Sequence, residues 1–305
     1  KRQAIPCGSA ELAEGGNVGK FSRTFSLMRA SWEVLKQDKE LLFFPLFSAI
    51  GCVLVLASFA MPILATTDLQ AASESAAAGT MEALSASDGK ISAEQVMYML
   101  GLFAFYCCNY CVIIFFTAGL IACAEIRMEG GDPTVGDGLR AAWARLPAIL
   151  GWSVLAATVG LVLRMIEERS SLVGKIVAGL LGMAWSITSF LVVPILVIEN
   201  EGPVSALKRS ASMLKTTWGE QIIGNFSFGL IFILLALPGI FLLITGFMVS
   251  SVALIVVAIL FFIAISLAQS ALQGIFQAAL YLYKRDGQAP EGFEAGELQA
   301  SIGHR

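Results

Sequence analysis

The sequence predicts an all-α, polytopic transmembrane helix bundle with six spans, and three observations support this. Of its 305 residues, 57% are hydrophobic and only 14% are charged, whereas soluble proteins carry roughly 25% charged residues. Six apolar segments are long enough to cross a hydrocarbon core of about 30 Å. A basic segment with helical periodicity precedes every second span. We therefore expect three repeats, each a cytoplasmic amphipathic helix followed by a transmembrane hairpin.

The six spans are expected at residues 41–65, 98–124, 146–166, 172–198, 222–247 and 251–283. The boundary between the last two is the least distinct, because 222–267 is almost free of charge, and we place the turn at 246–251. The domain plan is a polar N-terminal tail over 1–19, a six-span membrane domain over 20–283 and a cytoplasmic C-terminal tail over 284–305.

The distribution of Lys and Arg predicts the orientation. Of the 20 basic residues, only Lys90, Arg164, Arg169 and Lys175 fall on one side of the proposed spans. Cytoplasmic flanks retain positive charge, so the other side, which holds both termini, is expected to face the cytoplasm. The protein is thus predicted to be a multi-pass protein of the cytoplasmic (inner) membrane.

Three basic segments with an apolar stripe at helical spacing precede the first, third and fifth spans, and together we call them the collar. Such helices lie in the headgroup plane, with Trp at the interface and Lys or Arg toward phosphates. The collar is expected to bind membrane lipid, anionic lipid in particular, or a partner protein, and the alternative is that it only braces the bundle. Its candidate residues are Arg23, Arg29, Trp32, Arg140, Trp143, Arg145, Lys208, Arg209 and Trp218.

The sixth span carries small residues and glutamines at a period of four. Small residues let helix backbones approach, and amides inside lipid need partners on another helix. A helix-packing seam and a polar path both fit this pattern. The residues concerned are Asn109, Asn225, Gln269, Ser270, Gln273, Gly274 and Gln277.

Charged residues also cluster at the predicted helix ends. Arg164 can reach Glu167 and Glu168 at i+3 and i+4, with Arg169 beside them, so these four form an outer ion network or a solute gate. At the inner ends, Glu125 with Arg127 and Glu199 with Glu201 are expected to form similar interfacial networks.

The sequence offers little to catalysis. The only histidine is His304, so no catalytic triad can be assembled, and we expect no enzyme. Cys107, Cys108 and Cys111 lack a partner segment for a metal site. No metal and no cofactor are expected. A net charge of −3 without basic runs argues against nucleic acid.

Five distinctive strings run through the chain: SWEVLKQDKELLFFPLFS (31–48), GGDPTVGDGLRAAWARL (130–146), RMIEERSSLVGKIVAGLLGMAW (164–185), VVPILVIENEGPVSALKRSASMLKTTWGE (192–220) and GIFQAALYLY (274–283). They resemble an uncharacterised domain-of-unknown-function family of prokaryotic six-span membrane proteins. The resemblance covers nearly the whole chain from about residue 20, leaves residues 1–19 outside, and implies no catalytic residues. The chain also has a looser similarity to the membrane domain of glycerophosphodiester phosphodiesterases, which is not their catalytic part.

Taken together, these features predict a non-enzymatic scaffold or accessory subunit that binds membrane lipid, a membrane-protein partner or a second copy of itself. The alternative is a transporter or channel for a small solute, which the repeats and the amides of the sixth span favour.

Overall fold

The computed structural model describes residues 18–66, 93–169, 172–214, 218–290 and 293, and the regular secondary structure in these ranges is helical throughout. The all-α prediction is confirmed for them. The helices are α1 (Val18–Gln37), α2 (Phe43–Thr66), α3 (Ala93–Met128), α4 (Val135–Ala144), α5 (Leu146–Arg169), α6 (Leu172–Ser189), α7 (Val192–Ile198), α8 (Pro203–Leu214), α9 (Trp218–Met248) and α10 (Val252–Asp286), with a 3-10 helix, Lys39–Leu42, before α2.

Five helical stretches within the described ranges are long and apolar enough to cross a membrane, which indicates a multi-pass membrane protein. The predicted span at 222–247 falls on α9, whose side chains are described from Phe232 onward, and the described stretch Phe232–Met248 is apolar. Five of the six predicted spans are therefore shown, and the sixth stays a prediction. The five stretches are Lys39–Met61, Met99–Met128, Leu146–Glu167, Gly174–Ile198 and Val252–Asp286.

One predicted span is divided into two helices. The segment 172–198 forms α6 and α7, with a break at Phe190 and Leu191. A break inside an apolar segment leaves backbone groups without helical partners, which is costly unless another group bonds them. The buried Ser210 of α8 does so, because its hydroxyl donates to Thr188 O at 2.6 Å and accepts from Leu191 N at 3.2 Å.

The last hairpin follows the sequence closely. Pro238 lies inside α9 and does not end it. The chain turns at 249–251, within the predicted stretch, and Ser250 has a positive φ of 52° there. The helices α9 and α10 then pack against each other along their lengths.

Helix α3 lies at the centre of the bundle and contacts α2, α4, α5, α7 and α10. Its pairing with α2 is antiparallel, since Phe44 lies near Gly119 and Phe59 lies near Phe105. The most deeply buried core is formed where α3 and α10 end. Its largest members include Leu120, Ile121, Leu191, Ile195, Leu196, Ile275, Leu280 and Tyr281.

The three collar segments form α1, α4 and α8, each followed in sequence by longer apolar helices. Their packing differs: α1 lies on α9 and α10, α4 lies on α3, and α8 contacts α5, α6 and α7. The order of elements matches the predicted plan, while the equivalence of three repeats stays a prediction.

Candidate functional site

A layer of ion pairs joins the helix ends at one end of the bundle, and we call it the ion-pair end. Two N–H groups of Arg127, near the end of α3, donate to the carboxylate of Asp38, which follows α1. The Asp38 side chain is only 9% exposed and that of Arg127 is 22% exposed. Arg127 also reaches Asp132 at 2.6 Å. The internal pair links α1 to α3 across 89 positions of sequence.

A second group of contacts joins α7, α8 and α10. The Arg209 guanidinium of α8 lies 2.5 Å from Glu199 and 3.0 Å from Glu201. The hydroxyl of Tyr281 on α10 donates to Glu199. Glu199 and Glu201 therefore share Arg209, rather than forming a separate interfacial network at a single helix end.

A third group joins the ends of α3 and α10. Arg285 lies 3.3 Å from Glu125 and 3.5 Å from Glu129, and it also contacts the neighbouring Asp286 at 2.8 Å. The sequence groups Glu125 with Arg127, but the structure pairs each of them with a different helix. Glu125 and Arg127 are two positions apart and so point to different sides of the helix, and the tertiary neighbours decide the pairing.

The start of α4 is fixed by a local capping box and by contacts to two other segments. Thr134 and Asp137 form a reciprocal capping box, in which the Thr134 hydroxyl and then its backbone N–H lower the pKa of the Asp137 carboxyl. The Glu40 carboxylate accepts from Val135 N at 3.2 Å. The thiol of Cys123 donates to Thr134 O at 3.4 Å. These contacts hold α4 against α3 and the 3-10 helix.

The structure divides the collar residues into two groups. Arg145 and Arg209 are committed to internal contacts, since Arg145 Nε donates to Val197 O at 3.3 Å and Arg209 belongs to the ion-pair end. Arg209 is nevertheless 43% exposed, and the other collar residues whose side chains are described are exposed too: Arg29, Trp32, Arg140, Trp143 and Lys208. The side chains of Arg23 and Trp218 lie outside the described part.

The predicted seam on α10 is only partly internal. Gly274 is buried against Leu120, where an added Cβ would clash, whereas Ser270 and Gln273 are exposed and Gln269 and Gln277 are half-buried. Asn109 donates to Phe105 O of its own helix at 3.0 Å, rather than to α10. The side chain of Asn225 is outside the described part. The structure thus brings Gly274, but not the amides, into the α3–α10 contact.

A charged groove of about 680 Å³ lies between α3, α5 and α6. Of the predicted outer network, it brings together Arg164 and Glu167, while the side chains of Glu168 and Arg169 lie outside the described part. Arg164 also donates to the Tyr106 hydroxyl at 2.5 Å. The lining consists of Tyr110, Gly160, Leu163, Arg164, Glu167, Lys175 and Trp185.

A second, larger groove of about 920 Å³ lies between α2, α3 and α4, and we call it the apolar groove. Sequence reasoning missed it, because its walls come from three segments whose apolar residues are each typical of a spanning helix. The sequence feature that pointed toward this groove was the spacing of Arg140 and Trp143, which lie three positions apart on α4 and therefore on the same side of that helix. The lining consists of Phe47, Ile50, Gly51, Leu54, Val112, Phe115, Phe116, Leu139, Arg140, Trp143 and Ala144.

The described residues contain no group of three or more His, Cys, Asp or Glu side chains placed to hold a metal ion. The arrangement has two features suited to ligand binding. One is an outward-facing guanidinium beside the apolar groove, and the other is the groove lined by charges of both signs.

The chain belongs to a family of unknown function, DUF6159, whose model matches residues 96–292. The predicted membership of an uncharacterised family is thereby confirmed over residues 96–292. The predicted extent from about residue 20, the prokaryotic origin and the looser similarity to a phosphodiesterase membrane domain stay predictions. No curated protein matches the chain. The family description names no activity, so the function has to be argued from the geometry.

Proposed function

We propose that this member of a family without an assigned activity is a non-enzymatic scaffold of the cytoplasmic (inner) membrane. It binds anionic lipid or a partner protein through the outward face of its collar. The observation that carries this proposal is the division of the collar cations. Arg145 donates to a backbone carbonyl of α7, and Arg209 pairs with two carboxylates while 43% exposed. Among the described residues, Arg140 pairs with Asp137 of its own helix, and the exposed Arg29 and Lys208 have no ion pair.

Internal pairing supports a scaffold because it holds the short helices in place. Removing one partner of a buried ion pair is strongly unfavourable, so the pair of Arg127 with Asp38, whose side chains are 22% and 9% exposed, resists rearrangement at this end. A surface held in this way can present its remaining cations at constant spacing to phosphates or to an acidic partner.

The ion-pair end is proposed to face the cytoplasm, together with both termini. Most basic residues lie on this side of the spans, as expected for cytoplasmic flanks. An even number of crossings requires α9 to span the membrane as well. Its 31 residues extend over about 46 Å, more than the hydrocarbon core of about 30 Å. Six spans and the repeat plan therefore belong to this proposal.

The test is native mass spectrometry of the protein released gently from its membrane. The variant combines Arg29→Glu, Arg140→Glu and Lys208→Glu, and the matched control reverses one charge of the other groove, Lys175→Glu. The wild type and the control are expected to retain anionic lipid or a stoichiometric protein partner, and the triple variant is expected to lose it. Equal retention by all three proteins would contradict the proposal.

A second candidate function, binding of a small charged solute during transport, is supported by the charged groove alone. Arg164, Glu167 and Lys175 place both signs of charge beside the aromatic rings of Tyr110 and Trp185, which suits a zwitterionic solute. If the wild type carries a reproducible small solute that Lys175→Glu loses and Arg140→Glu keeps, transport replaces the scaffold as the function to pursue.

A further inference from the structure

We infer that the apolar groove is a site for one anionic phospholipid, with an acyl chain between α2 and α3 and the phosphate at Arg140. This inference rests on the proposed lipid-binding function and deepens it, because it assigns a specific lipid to a specific place. A collar that only attracts the membrane surface would need no groove.

The shape of the groove fits part of an acyl chain. Helices α2 and α3 approach closely at Gly51, where an added Cβ would clash with Val112, and this glycine lines the groove beside the contact. The α2 wall extends from Phe47 to Leu54, which is about 10 Å along a helix. Leu54 is 64% exposed, so the far end of the channel opens sideways out of the bundle.

The lining has the chemistry of a lipid site. Every lining residue other than Arg140 is apolar or glycine, so a methylene chain there would displace no polar side chain from a partner. The burial of each methylene contributes to binding. The aromatic rings of Phe115 and Trp143 meet edge to face at 6.2 Å and close the side of the groove next to α4.

Arg140 supplies the charge complementarity. Its side chain is 83% exposed, and its ion pair within the described residues is with Asp137 of the same helix at 3.4 Å. Asp137 is already occupied in the capping box with Thr134. A guanidinium has five donors in a planar fork that matches phosphate oxygens, and the long contact to Asp137 uses few of them.

The order of these groups along the bundle matches the order of groups in a phospholipid. Gly138, two residues before Arg140, lies against Phe44 and Gly119, which are nearer the ion-pair end than Phe47 is. The cation is therefore at the end of the groove next to the ion-pair end, and the apolar wall leads away from it. Trp143 lies between the two, as expected for an aromatic ring at a membrane interface.

The experiment is photocrosslinking of the detergent-solubilised full chain with a phosphatidylglycerol that carries a diazirine in one acyl chain. A matched phosphatidylcholine probe is used in parallel, and labelled peptides are mapped by mass spectrometry. Leu54→Trp fills the groove. Leu56→Trp is the matched control, because Leu56 is similarly exposed on α2 at 55% and does not line the groove. Arg140→Gln removes the cation, and its control is Lys36→Gln, because Lys36 is 54% exposed and belongs neither to the groove lining nor to the named collar residues.

Labelling by phosphatidylglycerol is expected in residues 47–54 and 112–116. Leu54→Trp is expected to abolish it, and Leu56→Trp to leave it unchanged. Arg140→Gln should lower it about tenfold, the usual scale for one hydrogen bond to a charged group, without lowering phosphatidylcholine labelling. Thermal unfolding of each variant in the same detergent confirms that the fold is intact, since all four side chains are exposed.

Several outcomes would overturn the inference. They are equal labelling by the two lipids, labelling that Leu54→Trp leaves unchanged, and a crosslink from this groove to a second protein chain instead of lipid. If groove labelling fails while the triple charge reversal still removes lipid or partner, only the groove assignment fails. If the triple reversal has no effect but groove labelling appears, the site stands and the scaffold function fails.

Discussion

The two ends of this bundle use charged residues in opposite ways. At the ion-pair end, Arg127, Arg209 and Arg285 meet carboxylates from other helices. At the other end, Arg164, Glu167 and Lys175 line a groove of about 680 Å³. The same residue types therefore pair with carboxylates of other segments at one end and border an open volume at the other, where Arg164 bonds the Tyr106 hydroxyl of α3.

The contrast indicates that a cation stays available to an outside ligand only where its own protein leaves it without carboxylate partners. Arg209 and Lys208 are neighbours in sequence, yet Arg209 contacts two carboxylates while Lys208 faces outward. Counting basic residues on a predicted helix overestimates the charge that a lipid or partner can meet. Four substitutions test the contrast between the two ends, in descending order of the loss of stability that we expect.

The largest effect is expected from Asp38→Ala, which leaves the buried end of Arg127 without its internal partner. Loss of one member of a buried ion pair costs about 3 kcal/mol in the free energy of unfolding. The control Glu33→Ala breaks the exposed pair with Lys36 and should cost less than about 1 kcal/mol. Equilibrium unfolding in detergent measures both values. Equal losses of stability would show that the pair of Asp38 with Arg127 stabilises the bundle no more than an exposed ion pair does.

Gly138→Ala tests the close approach of α4 to α3. The added methyl would meet Phe44, Cys123 and the carbonyl of Gly119 at once. Overpacking of this kind is expected to cost about 2 kcal/mol.

The matched control is Gly136→Ala on the same helix, where the nearest atom is 3.6 Å away. It should be neutral or raise stability by up to about 1 kcal/mol, because alanine favours helix over glycine. The same unfolding measurement serves both variants. If the two glycines behave alike, α4 is not packed on α3 in the way described.

Tyr281→Phe removes the hydroxyl that donates to Glu199 and keeps the ring in the core. We expect a loss of about 1 kcal/mol in unfolding free energy, the usual net value of such a bond. The control Tyr283→Phe should have little effect, since Tyr283 is half-buried and has no hydrogen bond to a described residue. A larger loss of stability for Tyr283→Phe than for Tyr281→Phe would show that the Tyr281 hydroxyl is not the group that connects α10 to α7.

Lys175→Ala, at the open end, is expected to change the unfolding free energy by less than about 0.5 kcal/mol, as for most surface substitutions. Lys175 is exposed and has no ion pair to a described residue. Thermal unfolding scans of this variant and of Asp38→Ala, run side by side, compare the loss of stability at the two ends of the bundle. A loss of stability for Lys175→Ala as large as that for Tyr281→Phe would show that the two ends of the bundle do not differ in this way.

The match between sequence and structure is uneven, for reasons that particular residues make clear. The order of helices, the turn at 249–251 and five of the apolar spans follow from local composition and periodicity. The helices α1, α4 and α8 were also predictable, because their stripes of apolar residues recur at the spacing of a helix. The break between α6 and α7 was missed, since the serine that satisfies it, Ser210, comes from α8.

Site residues were harder to predict than helices. The pairs expected within one helix end, such as Glu125 with Arg127, were replaced by pairs across the bundle with Arg285 and Asp38. The glutamines of the predicted seam, Gln269 and Gln273, do not enter the α3–α10 contact, because the face of α10 that meets α3 is set by Gly274 against Leu120. Periodicity defines faces of a helix but not which face meets which neighbour.

Composition and local pattern are enough to establish that this chain is helical, that it is a multi-pass membrane protein and that its basic residues collect on one side of the predicted spans. These properties depend on contacts between residues a few positions apart. The packing of the helices determines which arginines are withdrawn into the protein and which remain outward, and it forms the apolar groove at Arg140. Both results depend on contacts between helices that are distant in sequence, which local patterns do not encode.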